Sequence, residues 1–212
     1  MELLLIRHAK PFHLVDESGA DPDLTGEGWL QAKRLAQSVG EGRYGPVHSI
    51  VSSPMRRAWQ TAEPLRGVLG HDVVIDDRLA ELDRGWKEYG ITLDAYARRR
   101  DLVLDLNAGR LGANTFDPEE FRARVVGGIE GVIAGSAIAG SAEESRVAVV
   151  CHGGVINAYL THVLGLAQLV FVQPHYTSVT RVLAEPDGYR EILSVNEFDH
   201  LHSSTGTAQS GA

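Results

Sequence analysis

The apolar positions of the chain change period repeatedly, and each change marks an element. Glu2–Arg7 is a short, almost wholly apolar run, the pattern of a strand covered on both faces. Thr25 then reads as a helix N-cap, with Ala32, Leu35, Ala36 and Val39 repeating at helical spacing behind it. Ser49–Ser52 predicts a second short strand. Ser53-Pro54 reads as the opening of a helix, because proline in the first turn gives up an N–H that has no partner there. Val73–Ile75 predicts a strand and Thr92–Leu106 a helix. Asp117-Pro118-Glu119-Glu120 has the acid placement of a capping box, and Phe121, Val125, Ile129 and Val132 form one face behind it. The Gly/Ala/Ser-rich stretch 135–145 predicts a loop. Arg146–Cys151 is the second clear apolar strand, and Gly153 opens another helix. Val179–Ala184 and Glu191–Val195 predict a hairpin around Pro186-Asp187-Gly188.

Strands alternating with helices predict the α/β class, here a three-layer α/β/α arrangement with a mainly parallel sheet. The segment from about Tyr89 to Asp117 breaks the rhythm and reads as a small helical cap inserted into the domain. Residues 1–202 are thus expected to form one α/β domain. Residues 203–212 are small and polar. They bury too little apolar area to offset their ordering entropy, and are expected to be a disordered tail.

Composition narrows the partners. The 212 residues carry 20 Lys and Arg against 28 Asp and Glu, for a net charge of −8. That argues against nucleic acid, which needs a basic face, while leaving room for a focused cationic pocket. The single cysteine, Cys151, excludes an internal disulfide, and its apolar strand makes it a packing residue. The early apolar run Leu3–Ile6 is far too short to span a bilayer. The N-terminus lacks the basic–apolar–small pattern of an export signal. No membrane partner and a cytoplasmic location are expected; a homodimer is left open.

Three strand ends carry reactive side chains. The first strand ends in Arg7-His8, the second in Ser52-Ser53-Pro54-Met55-Arg56-Arg57, and the one near Val149 in Cys151-His152-Gly153-Gly154. Ligands of open α/β sheets bind beyond the carboxyl ends of the strands, so these distant segments can converge on one pocket.

Leu5-Ile6-Arg7-His8-Ala9 resembles the signature of the histidine phosphatase superfamily, also called the phosphoglycerate mutase-like family. Further segments are similar to that family in the right order. They are Asp23-Leu24-Thr25 with Gly28 and Gln31-Ala32, then Ser52-Ser53-Pro54 with Arg57-Ala58 and Thr61-Ala62. Leu79-Ala80-Glu81-Leu82 with Gly85-Trp86 follows, then Val150-Cys151-His152-Gly153-Gly154. Thr177-Ser178-Val179 and the stretch from Asn196 to Leu201 complete the set. The resemblance implies a phosphatase acting on phosphate monoesters through a covalent phosphohistidine. His8 would be the nucleophile, Arg7 and Arg57 the grip on the phosphoryl oxygens, and His152 a further donor. Glu81 would be the acid for the leaving alcohol and then the base for water. A doubly charged phosphate monoester needs charge neutralisation and an in-line nucleophile, and a neutral imidazole near pH 7 supplies the latter. With arginines and histidines as the neutralising groups, no metal and no cofactor are expected. A small phosphorylated molecule is the expected partner.

Some positions keep two readings. Glu81 is either the acid or a surface carboxylate. Arg56 points about 100° away from Arg57 on a helix and reads as its solvent-facing neighbour. In Arg98-Arg99-Arg100, a continuous helix puts Arg100 on the side of Leu93, Tyr96 and Val103. Arg100 either reaches over the pocket to a second anionic group or lays its stem along the helix. His13 is a candidate for the pocket mouth. The family commonly has Gly where this chain has Ala9, and many members have a phosphate-binding Asn where it has Leu14. The chain is also shorter than cofactor-dependent mutases, and its cap shows no pattern for a bisphosphorylated primer. These departures favour a phosphatase over a phosphoglycerate mutase. The same motifs also suit a phosphohistidine protein phosphatase, or a silent phosphate-binding regulatory module.

Overall fold

The computed structural model describes residues 1–138 and 145–202. Along the chain it contains β1 (Glu2–Arg7), β2 (Leu14–Val15), α1 (Gly26–Gly40), β3 (Ser49–Ser52), α2 (Arg56–Leu69) and β4 (Val73–Ile75). Then come β5 (Glu88–Tyr89), α3 (Ile91–Asp94), α4 (Arg99–Asn107), β6 (Arg110–Leu111), β7 (Asn114–Thr115) and α5 (Pro118–Ile138). The chain closes with β8 (Arg146–Cys151), α6 (Gly153–Val163), β9 (Val179–Ala184) and β10 (Arg190–Glu197).

Six strands form the central sheet in the order β10-β9-β1-β8-β3-β4. β1, β8, β3 and β4 run parallel; β9 is antiparallel to β1, and β10 pairs with it as the predicted hairpin. Alternation along β1 sends side chains to both faces. Leu3 and Leu5 join Val147, Val149, Val125, Ile129, Ile156 and Tyr159 on the α5/α6 side. Leu4 and Ile6 join Ala148, Val150, Leu35, Ala58, Ala62 and Leu65 on the α1/α2 side. A strand buried on both faces has to be apolar at every position, which is why β1 and β8 are legible without any alternation.

Three elements differ from the sequence expectation. The helix expected over Thr92–Leu106 is two helices, α3 and α4, with a break between Asp94 and Arg99. The helix expected to open at Ser53-Pro54 starts at Arg56, with Met55 as N-cap. Its start is capped from a distance: both Asp21 carboxylate oxygens accept from the Arg56 N–H at 3.0 Å. The stretch 135–145, expected to be a loop, is helical as far as Ile138 as the end of α5. Its following part, 139–144, and the expected tail, 203–212, lie outside the described residues. Within α5 the buried position is Ile133 rather than Val132, which is half-buried.

Candidate active site

The register of the sheet brings the reactive segments together. Arg7 at the end of β1 pairs with Cys151 at the end of β8, and Ser52 of β3 pairs with Val150. His8, Ser53 and His152 therefore leave three adjacent strands at the same level. Beyond them lies a cavity of about 290 Å³, lined by Arg7, His8, Arg57, Glu81, Asp83, Tyr89 and Tyr176 at its chemical end.

His8 is buried, and its Nδ1 lies 2.8 Å from the Ala9 carbonyl. A carbonyl only accepts, so Nδ1 carries the proton and Nε2 keeps its lone pair. Burial, reinforced by the Arg57 and Arg7 charges, holds the His8 pKa well below its ordinary value, so the ring stays neutral. The backbone beside it is fixed from behind: the Ala9 N–H donates to Thr61 Oγ1 at 2.9 Å, and the Lys10 N–H to Gln31 Oε1 at 3.0 Å. Gly28 packs against Lys10, where a Cβ would come within 2.1 Å of the Lys10 carbonyl oxygen.

His152 is fully buried, with its ring centroid 5.1 Å from that of His8. Its Nε2 lies 2.8 Å from Ser53 Oγ, which itself accepts from the Met55 N–H at 3.3 Å. The Ser53 hydroxyl can donate to Nε2 or accept from it, so this contact fits either tautomer of the ring. His152 is also held neutral, chiefly by burial and then by Arg57.

Arg57 is fully buried, and its Nη2 donates to both oxygens of Asp83 at 2.8 and 3.1 Å. Its guanidinium stacks over Tyr89 at 4.4 Å, and that of Arg7 over Tyr176 at 4.2 Å. Arg7 Nη1 donates to the Pro174 carbonyl at 2.7 Å. Four buried nitrogens of this cluster are left without a hydrogen-bond partner among the described residues: the arginine donors Arg7 Nε, Arg57 Nε and Arg57 Nη1, and His152 Nδ1. Unpaired buried donors are costly. A cluster of them around a neutral imidazole fits an anion with several acceptor oxygens.

Glu81 lies opposite. Its Oε2 accepts from the Gly154 N–H at 2.8 Å, at the first turn of α6, and its Oε1 from the Leu82 N–H at 3.0 Å. Desolvation, then the neighbouring Asp83 charge, pushes its carboxyl above the usual range, against those two hydrogen bonds and Arg57. Among the described residues no group of three or more His, Cys, Asp or Glu side chains could hold a metal ion.

Of the residues expected from sequence, Arg7, His8, Arg57 and Glu81 line the cavity, and His152, outside its lining, packs against His8. Arg100 does not line the cavity; Arg99 does, together with Leu102 and Leu106 of the same helix. The break before Arg99 resets the helical phase that placed Arg100 inward. His13 stands outside the lining, half-exposed, with Nε2 3.5 Å from Asp94 at the rim. Arg56 is exposed and pairs with Asp23 at 3.2 Å, as its helix position implied. Sequence reasoning missed Asp83, Tyr89 and Tyr176. Asp83 follows Glu81 by two residues, which is the one signal the chain offers for it; Tyr176 stands just before the Thr177-Ser178 motif; Tyr89 has none.

The sequence model of the Histidine phosphatase superfamily (branch 1) matches residues 3–197. Bifunctional protein Rv2228c of Mycobacterium tuberculosis is 31% identical over 210 residues, covering 94% of this chain and 54% of that protein, so the chain spans about half its length. "Putative phosphoserine phosphatase 2" of Hydrogenobacter thermophilus is 31% identical over 175 residues, 77% of this chain and 79% of that protein. Among solved structures, mycobacterial glucosyl-3-phosphoglycerate phosphatase Rv2419c with inorganic phosphate superposes with a TM-score of 0.73. It is 24% identical over 94% of this chain and 98% of that one, which shows a shared fold. A phosphoglycerate mutase from Bacillus anthracis gives a TM-score of 0.71 at 20% identity, covering 95% of each chain. With its fold matched and its motifs gathered around one cationic hollow, the chain belongs to the histidine phosphatase superfamily, branch 1.

Proposed function

We propose that the chain hydrolyses phosphate monoesters through a phosphohistidine on His8, without a metal. The observation that carries this reading is the set of buried Arg7, Arg57 and His152 nitrogens left without a hydrogen bond beside a His8 imidazole whose Nε2 keeps its lone pair. In the first step the His8 Nε2 lone pair attacks phosphorus and the ester P–O bond breaks. The leaving oxygen takes a proton from Glu81, whose carboxyl is pushed above its usual range by desolvation and then by Asp83. In the second step a water gives a proton to the Glu81 carboxylate and attacks phosphorus. The N–P bond breaks, and inorganic phosphate leaves with His8 neutral again. Arg7, Arg57 and His152 hold the phosphoryl oxygens throughout, each charge-assisted bond worth roughly 1.5–3 kcal/mol. The aromatic rings of Tyr89 and Tyr176 keep water off the two guanidiniums.

The test is phosphate release from p-nitrophenyl phosphate, sugar phosphates, phosphoglycerates and phosphopeptides, with His8→Ala as control. Release from at least one ester is expected, lost by about a thousandfold or more in the variant. An acid-labile, base-stable phosphoryl label should be trapped on His8. Full turnover in His8→Ala overturns the mechanism. Isomer formed with little free phosphate, dependent on a bisphosphorylated primer, would make the chain a mutase.

A further inference from the structure

We propose that His200, on the closing turn of the chain, is a positioning residue for the His8 nucleophile and acts through the Thr177 hydroxyl; this rests on the phosphatase reading of the same site. Two of the motif segments, Thr177-Ser178-Val179 and the stretch from Asn196 to Leu201, place no residue on the cavity lining. Yet they contain both of the non-glycine residues with a positive φ among the described residues, Thr177 at 59° and Asn196 at 62°. The left-handed region is a genuine outlier for a β-branched side chain. Such a conformation persists only where its surroundings impose it.

Those surroundings are the backbone of the nucleophile. The Thr177 N–H donates to the Arg7 carbonyl at 3.0 Å and lies 3.4 Å from the His8 carbonyl, while the Ser178 carbonyl accepts from the Arg7 N–H at 3.1 Å. The Arg7 guanidinium reaches the Pro174 carbonyl and lies over the Tyr176 ring, whose centroid is 5.6 Å from that of His8. Segment 174–178 therefore grips Arg7 and His8 from one side and shares in aiming the His8 ring. Glycine would take the Thr177 conformation without strain, so what threonine adds at this position is its side chain.

That side chain makes the link to His200. The Tyr176 carbonyl only accepts, so the Thr177 hydroxyl, 2.7 Å away, places its proton there. The 3.0 Å contact between Thr177 Oγ1 and His200 Nε2 is then a bond donated by the ring. Desolvation keeps that ring neutral, with its pKa lowered to about 4. Its one proton therefore sits on Nε2, and Nδ1 is left buried without a partner among the described residues. An orphaned buried nitrogen is costly, and a side chain serving packing alone would be apolar here. The turn that carries His200 is fastened to α1 and the turn after it: Arg34 donates to the Leu201 carbonyl at 3.1 Å, and Arg43 to Asp199 at 2.6 Å. The same helix supplies Gln31, which holds the Lys10 N–H on the other side of His8. Asn196 closes the latch, its Oδ1 accepting from the His175 N–H at 2.6 Å.

The experiment measures kcat and KM on p-nitrophenyl phosphate, the melting temperature and the ring-nitrogen NMR shifts of His8. It compares the intact enzyme with His200→Ala, His200→Gln, Thr177→Gly and the double variant Thr177→Gly/His200→Ala. His200→Ala is expected to lower kcat about tenfold to a hundredfold with KM changed less than about threefold, because the nucleophile loses its aim while the arginine charges stay. His200→Gln, whose amide N–H can stand in for Nε2–H, should recover most of the rate. Thr177→Gly removes the hydroxyl together with the strain. It should keep the melting temperature within a few degrees yet lose kcat as His200→Ala does, and the double variant should lose no more than either single change. The His8 shifts should move in His200→Ala and Thr177→Gly and stay in His200→Gln. A His200→Ala enzyme that keeps kcat and loses only stability overturns the proposal. Equal losses in His200→Gln and His200→Ala, or additive losses in the double variant, overturn it too. Should His200→Ala fail to fold, Thr177→Gly decides, and full kcat there overturns the link. If the intact enzyme turns over no ester, the phosphatase reading fails, and the His8 shifts alone decide on His200.

Discussion

Glu81 and Asp83 are two residues apart, and the charges of both favour the Arg57 cation. Asp83 neutralises part of Arg57 through its paired hydrogen bonds, and its own charge adds to the desolvation that raises the Glu81 pKa. An Asp83→Asn variant removes that negative charge and frees Arg57 at once. Both changes favour the Glu81 carboxylate, so the alkaline fall of kcat should move to lower pH, read from kcat–pH profiles on an alkyl phosphate. A limb that stays put or moves upward would separate Glu81 from the proton-donating role. At this scale the sequence is most informative where a residue sits in a motif. Arg7, His8, Arg57, Glu81 and His152 are each legible. Asp83, Tyr89 and Tyr176 are not, because their contribution is to contact other side chains of the site, and contact is not written in spacing.

Elements set how closely those residues approach. At the start of α6 the His152 side chain provides no cap bond, and the Glu81 carboxylate takes the Gly154 N–H instead. A Cβ on Gly154 would lie 2.2 Å from Glu81 Oε1. Gly154→Ala should therefore push the carboxyl out of place and lower kcat on alkyl phosphates by at least tenfold, with melting temperature measured alongside. A variant that keeps kcat while losing stability would show that Glu81 needs no fixed position. The cap shows how helical phase misleads. Periodicity points Arg100 inward only along one unbroken helix. The break at 95–98 turns the stripe by one residue and brings in Arg99. The start of α2 slips for a related reason. Ser53 is engaged with His152 and Asp21 reaches over to cap Arg56, so a partner from another segment, rather than local proline chemistry, sets the helix end.

The whole molecule carries the cost of burying this machinery. His8 and His152 are held neutral well below their ordinary pKa, and desolvation lowers His200, which shares a hydrogen bond with Thr177, to about 4. The unfolded chain binds protons at all three from about pH 6.5 downward, while the native protein does not. Stability is thus complete above that pH and falls as the pH drops through the window down to each folded value, by up to about 1.4 kcal/mol per pH unit for each histidine. Urea unfolding between pH 7 and 5 should show the decline, and His200→Gln should flatten it. A stability that rises on acidification over that range would contradict the buried, neutral state of these rings.

The α/β class of this protein, its two doubly buried strands, its closing hairpin and the residues proposed as nucleophile and anion cradle are all written in the sequence, since periodicity and motif are local properties that short stretches of chain carry by themselves. Folding in three dimensions settled the rest: that β1, β8 and β3 lie side by side and bring His8, His152 and Arg57 together, that Asp83 and two tyrosines surround the arginines, and that Arg99 lines the cavity. Those outcomes depend on strand order, on a helix break and on side chains from distant segments competing for the same hydrogen bonds. Such energies exist only once the chain has closed on itself.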